Sequence, residues 1–243
     1  MHEKFISHDS LMPLAISGLR YSVGESILID NLELYVSSAG VTVILGPNGA
    51  GKSLLLRLIL GLLEPTGGRV KWGKHSAGSL TRQHQSLVFQ KPVLLRRSVE
   101  DNIKFILKLR QSAPVSTTAQ KLLQSVHLSE HARQPARSLS GGEQQRLALA
   151  RAMATSPSVL MLDEATANLD PGSTAIIENI IRKQKQKGVK ILLVTHDLGQ
   201  AKRLADDVVF LHRGRVMENT PATQFFDQPD SAPANAFLHG ELI

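Results

Sequence analysis

The stretch that decides the fold is Val41-Thr-Val-Ile-Leu-Gly-Pro-Asn-Gly-Ala-Gly-Lys-Ser53. Its first five residues form the apolar run that is typical of a strand buried on both faces of a parallel sheet. The next eight residues fit G-x-x-x-x-G-K-[ST], and the apolar density from Ser53 to Leu63 predicts a buried helix that Glu64-Pro-Thr-Gly-Gly68 ends. A strand, a glycine-rich turn and a helix in this order form a phosphate-binding loop.

The glycine-rich turn offers backbone and side-chain groups to a nucleotide. Its glycines let successive N–H groups face the phosphates, while Lys52 is expected to reach the β and γ phosphates and Ser53 to ligate Mg²⁺. The alternative is a glycine turn that holds no ligand. The predicted nucleotide-binding positions of this stretch are Gly46, Pro47, Asn48, Gly49, Ala50, Gly51, Lys52 and Ser53.

Composition limits the class of protein. The 243 residues can bury a real core, and the absence of cysteine excludes disulfides and thiolate metal sites. The formal net charge of +7 favours anionic partners such as nucleotides, nucleic acid or an anionic membrane surface, without choosing among them. No run approaches the length of a membrane-spanning helix, and Met1–Ser10 lacks a signal-peptide core, so we expect a cytoplasmic protein.

Strand-like and helical patterns alternate along the chain. Ile27–Val36 alternates in part, as a β-strand does. Residues 98–155 look mostly helical, beginning at a cap formed by Ser98 and Asp101 and interrupted by a turn at Ala113-Pro114. The apolar face predicted for the first of these helices consists of Ile103, Ile106, Leu107 and Leu109.

Three later apolar runs return to strand-like character. They are Val159–Leu162, Lys190–Val194 and Val208–Leu211, and helix-like segments separate them. This is the βαβ rhythm of a mainly parallel sheet, in which ligands bind beyond the carboxyl ends of the strands.

A second motif, Leu139-Ser-Gly-Gly-Glu-Gln-Gln-Arg146, follows the helical region. Ser140 and the two glycines behind it would begin a helix, whose N-terminus offers a hydroxyl and open N–H groups to a phosphate. A plain serine N-cap describes the same geometry. Together with the phosphate-binding loop, this motif resembles the signature of ATP-binding-cassette (ABC) ATPases, and the resemblance runs from about Leu14 to the end of the chain.

The resemblance implies an α/β fold with a P-loop NTPase core of mainly parallel sheet, an antiparallel β subdomain and a helical insert. We expect residues 1–243 to form a single ABC ATP-binding domain, with a helical subdomain at about 91–155 inserted in the core. ATP and Mg²⁺ are the implied cofactors. Two copies would close face to face as a homodimer, in which Ser140, Gly141 and Gly142 serve the ATP of the opposite subunit.

The strand run Val159–Leu162 ends in two acids, Asp163 and Glu164. Acids in this position lie at the sheet edge beside the phosphate-binding loop, where Mg²⁺ and water must be held, although a solvated turn is the alternative. The resemblance assigns metal binding to Asp163 and the general base to Glu164. The family usually has proline after the base, whereas Ala165 stands here, so the restriction that proline imposes on the preceding residue is lost.

Further positions match the family residue by residue. Gln90 resembles the residue that reaches Mg²⁺ and water, so it is both a catalytic and a metal candidate. His196 resembles the switch histidine that contacts the γ-phosphate and steadies the base. Asp170 resembles the residue that communicates across the dimer, although Asp170 also fits a helix cap before Pro171.

Two predicted adenine contacts and one departure from the family's motif complete the predicted site. Tyr21, placed just ahead of a strand, resembles the aromatic that stacks on adenine, and Leu28 would line the same surface; packing of Tyr21 in the core is the alternative. Leu54 stands where the family commonly has threonine, so a hydroxyl contact is lost while a backbone contact survives. The catalytic set is therefore Glu164, His196, Lys52 and Gln90, and the metal set is Ser53, Gln90 and Asp163.

The resemblance implies the ATP-hydrolysing subunit of a transporter on the inner face of the cell membrane. Transmembrane permease subunits would be its partners, with a substrate-binding protein acting indirectly, and no nucleic acid is expected. The compact insert with Val93-Leu-Leu-Arg-Arg-Ser-Val-Glu-Asp-Asn102, and the chain from Glu218 to Leu242, resemble bacterial tungstate or phosphate uptake ATPases. This resemblance implies import of an oxyanion: tungstate first, then phosphate or molybdate. Another small solute is an alternative, as is a soluble ABC ATPase acting on nucleic acid or ribosomes, which only the +7 charge supports.

One segment suits docking of a membrane partner. The segment from Gln90 to Arg97 combines the apolar run Val93-Leu-Leu95 with two arginines, Arg96 and Arg97. We expect the apolar run to be exposed for a partner helix, although inward packing of these three residues is the alternative.

Overall fold

The computed structural model describes residues 11–37, 40–111 and 114–241. The expectations for Met1–Ser10 and for Ala113 lie outside these ranges. The strands are β1 (Leu14–Val23), β2 (Ser26–Val36), β3 (Val41–Leu45), β4 (Gly67–Trp72), β5 (His75–Ser76), β6 (Gln85–Val88), β7 (Val159–Asp163), β8 (Lys190–Val194), β9 (Asp207–His212) and β10 (Arg215–Pro221). The helices are α1 (Lys52–Ile59), α2 (Ser79–Arg82), α3 (Val99–Leu109), α4 (Val115–Ser125), α5 (Gly141–Met153), α6 (Pro171–Gln186), α7 (Leu198–Leu204), α8 (Ala222–Asp227) and α9 (Ala232–Leu238).

The larger sheet has the order β10-β9-β3-β8-β7-β6. Strands β9, β3, β8, β7 and β6 are parallel, and only β10 joins antiparallel to its neighbour. Every residue of β3, β7 and β8 is buried, as continuous apolar runs in a parallel sheet require. The carboxyl ends of β3, β6, β7 and β8 therefore meet at one edge, where the phosphate-binding loop leaves β3.

The smaller sheet is antiparallel, with the order β2-β1-β4-β5. One hydrophobic cluster joins it to α1 and to the larger sheet, and the indole of Trp72 donates a hydrogen bond to the Ile59 carbonyl at 3.0 Å. The mainly parallel core with an antiparallel part is confirmed. The placement of Tyr21 ahead of the first strand is wrong, since it lies inside β1 opposite Ile29.

Helices α3, α4 and α5 occupy the chain between β6 and β7. Ser98 caps α3 as predicted, its Oγ accepting from the Asp101 N–H at 3.1 Å. Ile103 and Leu107 are buried and Ile106 is half-buried, but Leu109 is 69% exposed, so its assignment to the apolar face is wrong. The division of the chain into one domain with an insert at about 91–155 stays a prediction.

Helix α1 ends earlier than the apolar run predicts. Its last residue is Ile59 rather than Leu63, because Gly61 adopts a φ of +71° and donates its N–H to the Leu58 carbonyl at 3.0 Å. A glycine in the left-handed region just past the last turn is a common helix terminator. Among the described residues, no helix combines the length and apolar character needed to cross a bilayer.

Candidate active site

A cavity of about 620 Å³ opens at the carboxyl edge of the parallel sheet. Its lining combines the phosphate-binding loop with residues from four other parts of the chain: Ile27, Leu28, Asn48, Gly49, Gly51, Lys52, Ser53, Leu54, Gln90, Glu164, Arg213 and Gly214. The fold thus brings the loop, the predicted base and the predicted metal-sensing amide to one concave surface.

Lys52 lies across the base of the loop. Its Nζ donates to the carbonyls of Gly46 at 2.8 Å and Pro47 at 2.9 Å, and the residue is only 6% exposed. An ammonium has three donors, so one remains for a phosphate oxygen. Burial lowers the pKa of Lys52, while the carboxylates of Glu164 and Asp163 act in the opposite direction.

Ser53 and Asp163 join the start of α1 to the end of β7. The Ser53 Oγ donates to Asp163 Oδ1 at 2.7 Å. Burial raises the pKa of Asp163; the Ser53 hydrogen bond opposes that rise and the nearby Glu164 adds to it. A hydroxyl, a carboxylate and the amide oxygen of Gln90 are hard oxygen donors of the kind that Mg²⁺ takes, so these residues fit the cation that the family implies.

Glu164, which follows β7, is held by groups at or just after the ends of its two neighbouring strands, β6 and β8. Its Oε2 accepts from Gln90 Nε2 at 3.0 Å and lies 3.5 Å from His196 Nδ1, while its N–H donates to the Val194 carbonyl at 3.0 Å. The backbone of Glu164 has a φ of +48°, in the left-handed region. With Ala165 in place of proline, these contacts and the buried Ala165 side chain, 3% exposed, are what orient the carboxylate.

The signature residues form a second group outside the cavity. Ser140 caps α5 in a reciprocal box: Glu143 Oε2 accepts from both the N–H and the Oγ of Ser140 at 2.8 Å, which lowers the pKa of Glu143. Asp170 caps α6, its Oδ1 accepting from the Ser173 N–H at 2.9 Å. The N-terminal cap geometries that were the alternatives are therefore present at both residues.

Gly142 packs the two caps together. A Cβ on Gly142 would lie 2.3 Å from Ser173 Oγ and 3.6 Å from Asp170 Oδ2. None of Ser140, Gly141, Gly142 and Asp170 lines the cavity, so one chain presents the predicted site as two separate surfaces.

Residues 29–167 match the family model described as ABC transporter. The chain belongs to this family. The tungstate uptake system ATP-binding protein TupC of Peptoclostridium acidaminophilum is 41% identical over 210 residues, which cover 85% of this chain and 98% of TupC. The phosphate import ATP-binding protein PstB 2 of Natronomonas pharaonis is 35% identical over 248 residues, covering 95% of this chain and 87% of that protein.

A solved structure supports the same assignment. The cbiO1 protein of Clostridium perfringens, described as part of the ABC transporter complex cbiONQ, superposes with a TM-score of 0.78 at 27% identity, covering 90% of this chain and 92% of that chain. The predicted ABC ATPase fold is thereby confirmed. As a member of the family the chain binds ATP, and it is an ATPase whose hydrolysis is coupled to transport.

Of the two predicted adenine contacts of this ABC ATPase, one lines the cavity and the other does not. Leu28 lines the cavity and is 42% exposed, whereas Tyr21 is half-buried against the hydrophobic cluster of the smaller sheet and is not among the lining residues. Core packing of Tyr21 is thus what its contacts show, and its stacking on adenine stays a prediction.

Sequence reasoning missed two side chains of the cavity wall. Ile27, 60% exposed in β2, and Arg213, in the turn before β10, both line the cavity. Neither belongs to a motif, and the turn reaches the site through the Gly214 N–H, which donates to the Ala50 carbonyl at 3.1 Å. The one sequence signal for this wall is the pair of adjacent apolar residues Ile27 and Leu28 at the start of the predicted strand, where they break the alternation.

Proposed function

We propose that this ABC ATPase powers the import of an oxyanion through partner membrane subunits, with tungstate the favoured cargo, then phosphate or molybdate. The observation that carries this proposal is the 41% identity to the tungstate uptake protein over 85% of the chain. The phosphate import relative supports the same class of cargo, as does a protein of Haloferax volcanii named a probable anion import ATP-binding protein, 32% identical over 252 residues.

The geometry around Glu164 supports its role as the general base. Its Oε2 is within reach of the side chains of Gln90 and His196, so the carboxylate can orient a water and take its proton while His196 keeps it aligned. Lys52 can donate its third N–H to the γ-phosphate and stabilise the charge that develops there. Ser53, Asp163 and Gln90 would hold Mg²⁺, which when bound neutralises the β and γ oxygens.

The separation of the signature from the cavity supports a homodimer. Ser140, Gly141 and Gly142 begin α5 beside Asp170, away from the loop of the same chain. In a face-to-face dimer these groups would complete the site of the opposite copy, because a helix N-terminus with a hydroxyl suits a γ-phosphate. Asp170, packed beside Gly142, would then link the two sites.

The segment after Gln90 supports docking of a permease only in part. Val93 is 77% exposed and suits a partner helix, but Leu94 is only 9% exposed and Leu95 is half-buried. The expectation of three exposed apolar residues is therefore wrong at Leu94, which packs in the core cluster of the helical region. Permease contact would place the chain on the inner face of the cell membrane.

Two alternatives compete with an oxyanion. The methionine import ATP-binding protein MetN of Xanthomonas axonopodis pv. citri is 36% identical over 231 residues, covering 90% of this chain and 69% of MetN, which favours another small solute. Action on nucleic acid is favoured only by the net charge of +7. In the basic run at residues 182–190, two of the cations are paired with acids, Arg182 with Glu178 at 3.2 Å and Lys185 with Asp206 at 2.6 Å.

Reconstitution tests the cargo. The chain is assembled in vesicles with the permease and the binding protein that neighbouring genes encode. ATP hydrolysis is then measured during titration with tungstate, molybdate, phosphate, sulfate and methionine. If partner subunits loaded with cargo stabilise the closed ATPase dimer, the rate of ATP hydrolysis must rise with cargo. Stimulation of hydrolysis by tungstate at the lowest concentration supports the proposal. Stimulation by methionine alone would make methionine the cargo in place of an oxyanion, and stimulation only by DNA or ribosomes would overturn the proposed transport function.

A further inference from the structure

A second cavity, of about 490 Å³, lies on the helical region and carries no part of the nucleotide site. Four arginines line it, Arg96, Arg97, Arg133 and Arg137, together with Ser98 and Pro135. We call it the arginine pocket. It lies between the segment that enters α3 and the segment that leads into α5.

Backbone hydrogen bonds hold the two walls of the arginine pocket against each other. The Ala136 N–H donates to the Arg97 carbonyl and the Val99 N–H to the Gln134 carbonyl, both at 2.9 Å, and Ser98 faces Pro135 in an antiparallel bridge. Beyond this bridge both segments turn: the Arg97 N–H donates to the Leu95 carbonyl at 2.8 Å, and Ala136–Ser138 form a 3₁₀ helix. The bridge keeps the two arginine-bearing segments side by side, and like charges gathered around one concavity repel each other, a repulsion that a bound anion would reduce.

Among the described residues none of the four guanidinium groups is paired with an acid, and that of Arg97 lies over the Phe105 ring, 5.0 Å from its centroid. Within residues 11–37, 40–111 and 114–241, no ion pair or side-chain hydrogen bond joins any of them to a carboxylate. The acids that begin α3 are engaged with other groups: Asp101 accepts from Ser98 Oγ at 2.7 Å, and Glu100 pairs with Lys104 at 2.8 Å.

We propose that the arginine pocket binds a phosphate-bearing anion with two or more negative charges. The guanidinium fork matches the geometry of phosphate oxygens and stays charged at every physiological pH. Four such groups around one concavity suit a multivalent anion, and the cavity is large enough for a diphosphate or for the headgroup of a phospholipid. This site goes beyond the proposed transport function; Arg96 and Arg97 also belong to the segment proposed for permease docking, so the test uses the chain without membrane subunits.

The location of the pocket gives a bound anion a mechanical consequence. One wall begins six residues after Gln90 and the other ends three residues before Ser140. An anion that bridges the two walls would restrain both the segment that follows Gln90 and the segment that leads into the signature at Ser140.

Calorimetric titration with pyrophosphate and sedimentation with vesicles test the proposal. Both use the full chain in a Lys52→Ala background, in which binding at the phosphate loop is weakened. The vesicles are phosphatidylcholine with or without cardiolipin, whose headgroup carries two phosphates. Arg96→Gln with Arg137→Gln removes one arginine from each wall of the pocket, and Arg69→Gln with Arg110→Gln, two exposed arginines outside the pocket, removes the same net charge as a matched control.

We expect pyrophosphate, cardiolipin vesicles or both to bind, and the Arg96/Arg137 variant to bind about tenfold more weakly or worse while the control stays near the parent. Binding of pyrophosphate alone identifies a free anion, and binding of vesicles alone a lipid headgroup. Equal weakening in both double variants would assign the effect to diffuse charge and overturn the proposal. If neither pyrophosphate nor cardiolipin vesicles bind the Lys52→Ala parent, shown by circular dichroism to be folded, the proposal is also overturned.

Discussion

Gly142→Ala probes the contact between the signature helix and α6. The added Cβ would lie 2.3 Å from Ser173 Oγ and 2.9 Å from Ser173 Cβ. The hydroxyl cannot turn away freely, because it accepts from Arg146 Nη1 at 3.1 Å and both residues are buried. In Gly141→Ala the new Cβ meets nothing within 4 Å, so the neighbouring glycine provides a matched control.

The size of the effect follows from these distances. Extending the shortest contact from 2.3 Å to an ordinary length of about 3.5 Å requires a displacement of about 1 Å between two packed helices. Overpacking of this kind costs about 1–3 kcal/mol, and we expect the free energy of unfolding of Gly142→Ala to fall by that amount. Gly141→Ala should leave it unchanged or raise it by up to about 1 kcal/mol, since alanine favours the helix.

Urea unfolding, followed by circular dichroism and by fluorescence of Trp72, measures both variants. Trp72 is the single tryptophan and is fully buried, so its emission reports unfolding of the core. Ser173→Gly removes both crowded atoms, and a double-mutant cycle should show a favourable coupling between Gly142→Ala and Ser173→Gly. Equal stabilities of Gly141→Ala and Gly142→Ala, or no rescue, would refute the packing of the signature against α6.

The remaining expectations concern the proposed base, the proposed adenine contact and a buried lysine. Glu164→Gln removes the proposed base but can still accept a hydrogen bond from Gln90, so the rate of phosphate release from ATP should fall by about 10²- to 10⁴-fold while ATP binding persists. The variant should run as a dimer in size-exclusion chromatography with Mg-ATP, and a monomer at saturating ATP counts against the two-copy mechanism. Tyr21→Ala should weaken ATP binding by about 1–3 kcal/mol and Tyr21→Trp should be tolerated, whereas an unchanged Kd would leave Tyr21 only its core packing. Burial lowers the pKa of Lys190 from 10.5 to about 8, so the unfolded chain binds more protons between these pH values and the wild-type free energy of unfolding should rise there with pH. The rise should reach about 3 kcal/mol relative to Lys190→Met, and parallel pH profiles of the two proteins would contradict it.

Local patterns predicted the central strands well. Val41–Leu45 and Lys190–Val194 have the bounds that their apolar runs indicate, because a strand buried on both faces leaves little choice of where it begins and ends. Helix ends and faces were less secure. Apolar composition continues past the true end of α1 at Ile59, and Leu109 keeps a helical spacing although its side chain is exposed.

The sequence by itself determined which chemical groups are present and in which order: a phosphate-binding loop, a signature, two acids after a strand and a histidine after another. These are short motifs whose local geometry follows from glycine, capping serine and apolar runs, so they can be recognised without knowing how the chain packs. The family follows from the same motifs.

Only the tertiary structure decided which groups meet. Strand order brings Gln90 and His196 to Glu164 across 74 and 32 positions of sequence, places Ile27 and Arg213 in the cavity wall, and leaves the signature on a separate surface. It also brings Arg96 and Arg97 into the same pocket as Arg133 and Arg137. The physical reason is that each of these contacts depends on long-range pairing of strands and segments, which the sheet's strand order sets and no local pattern encodes.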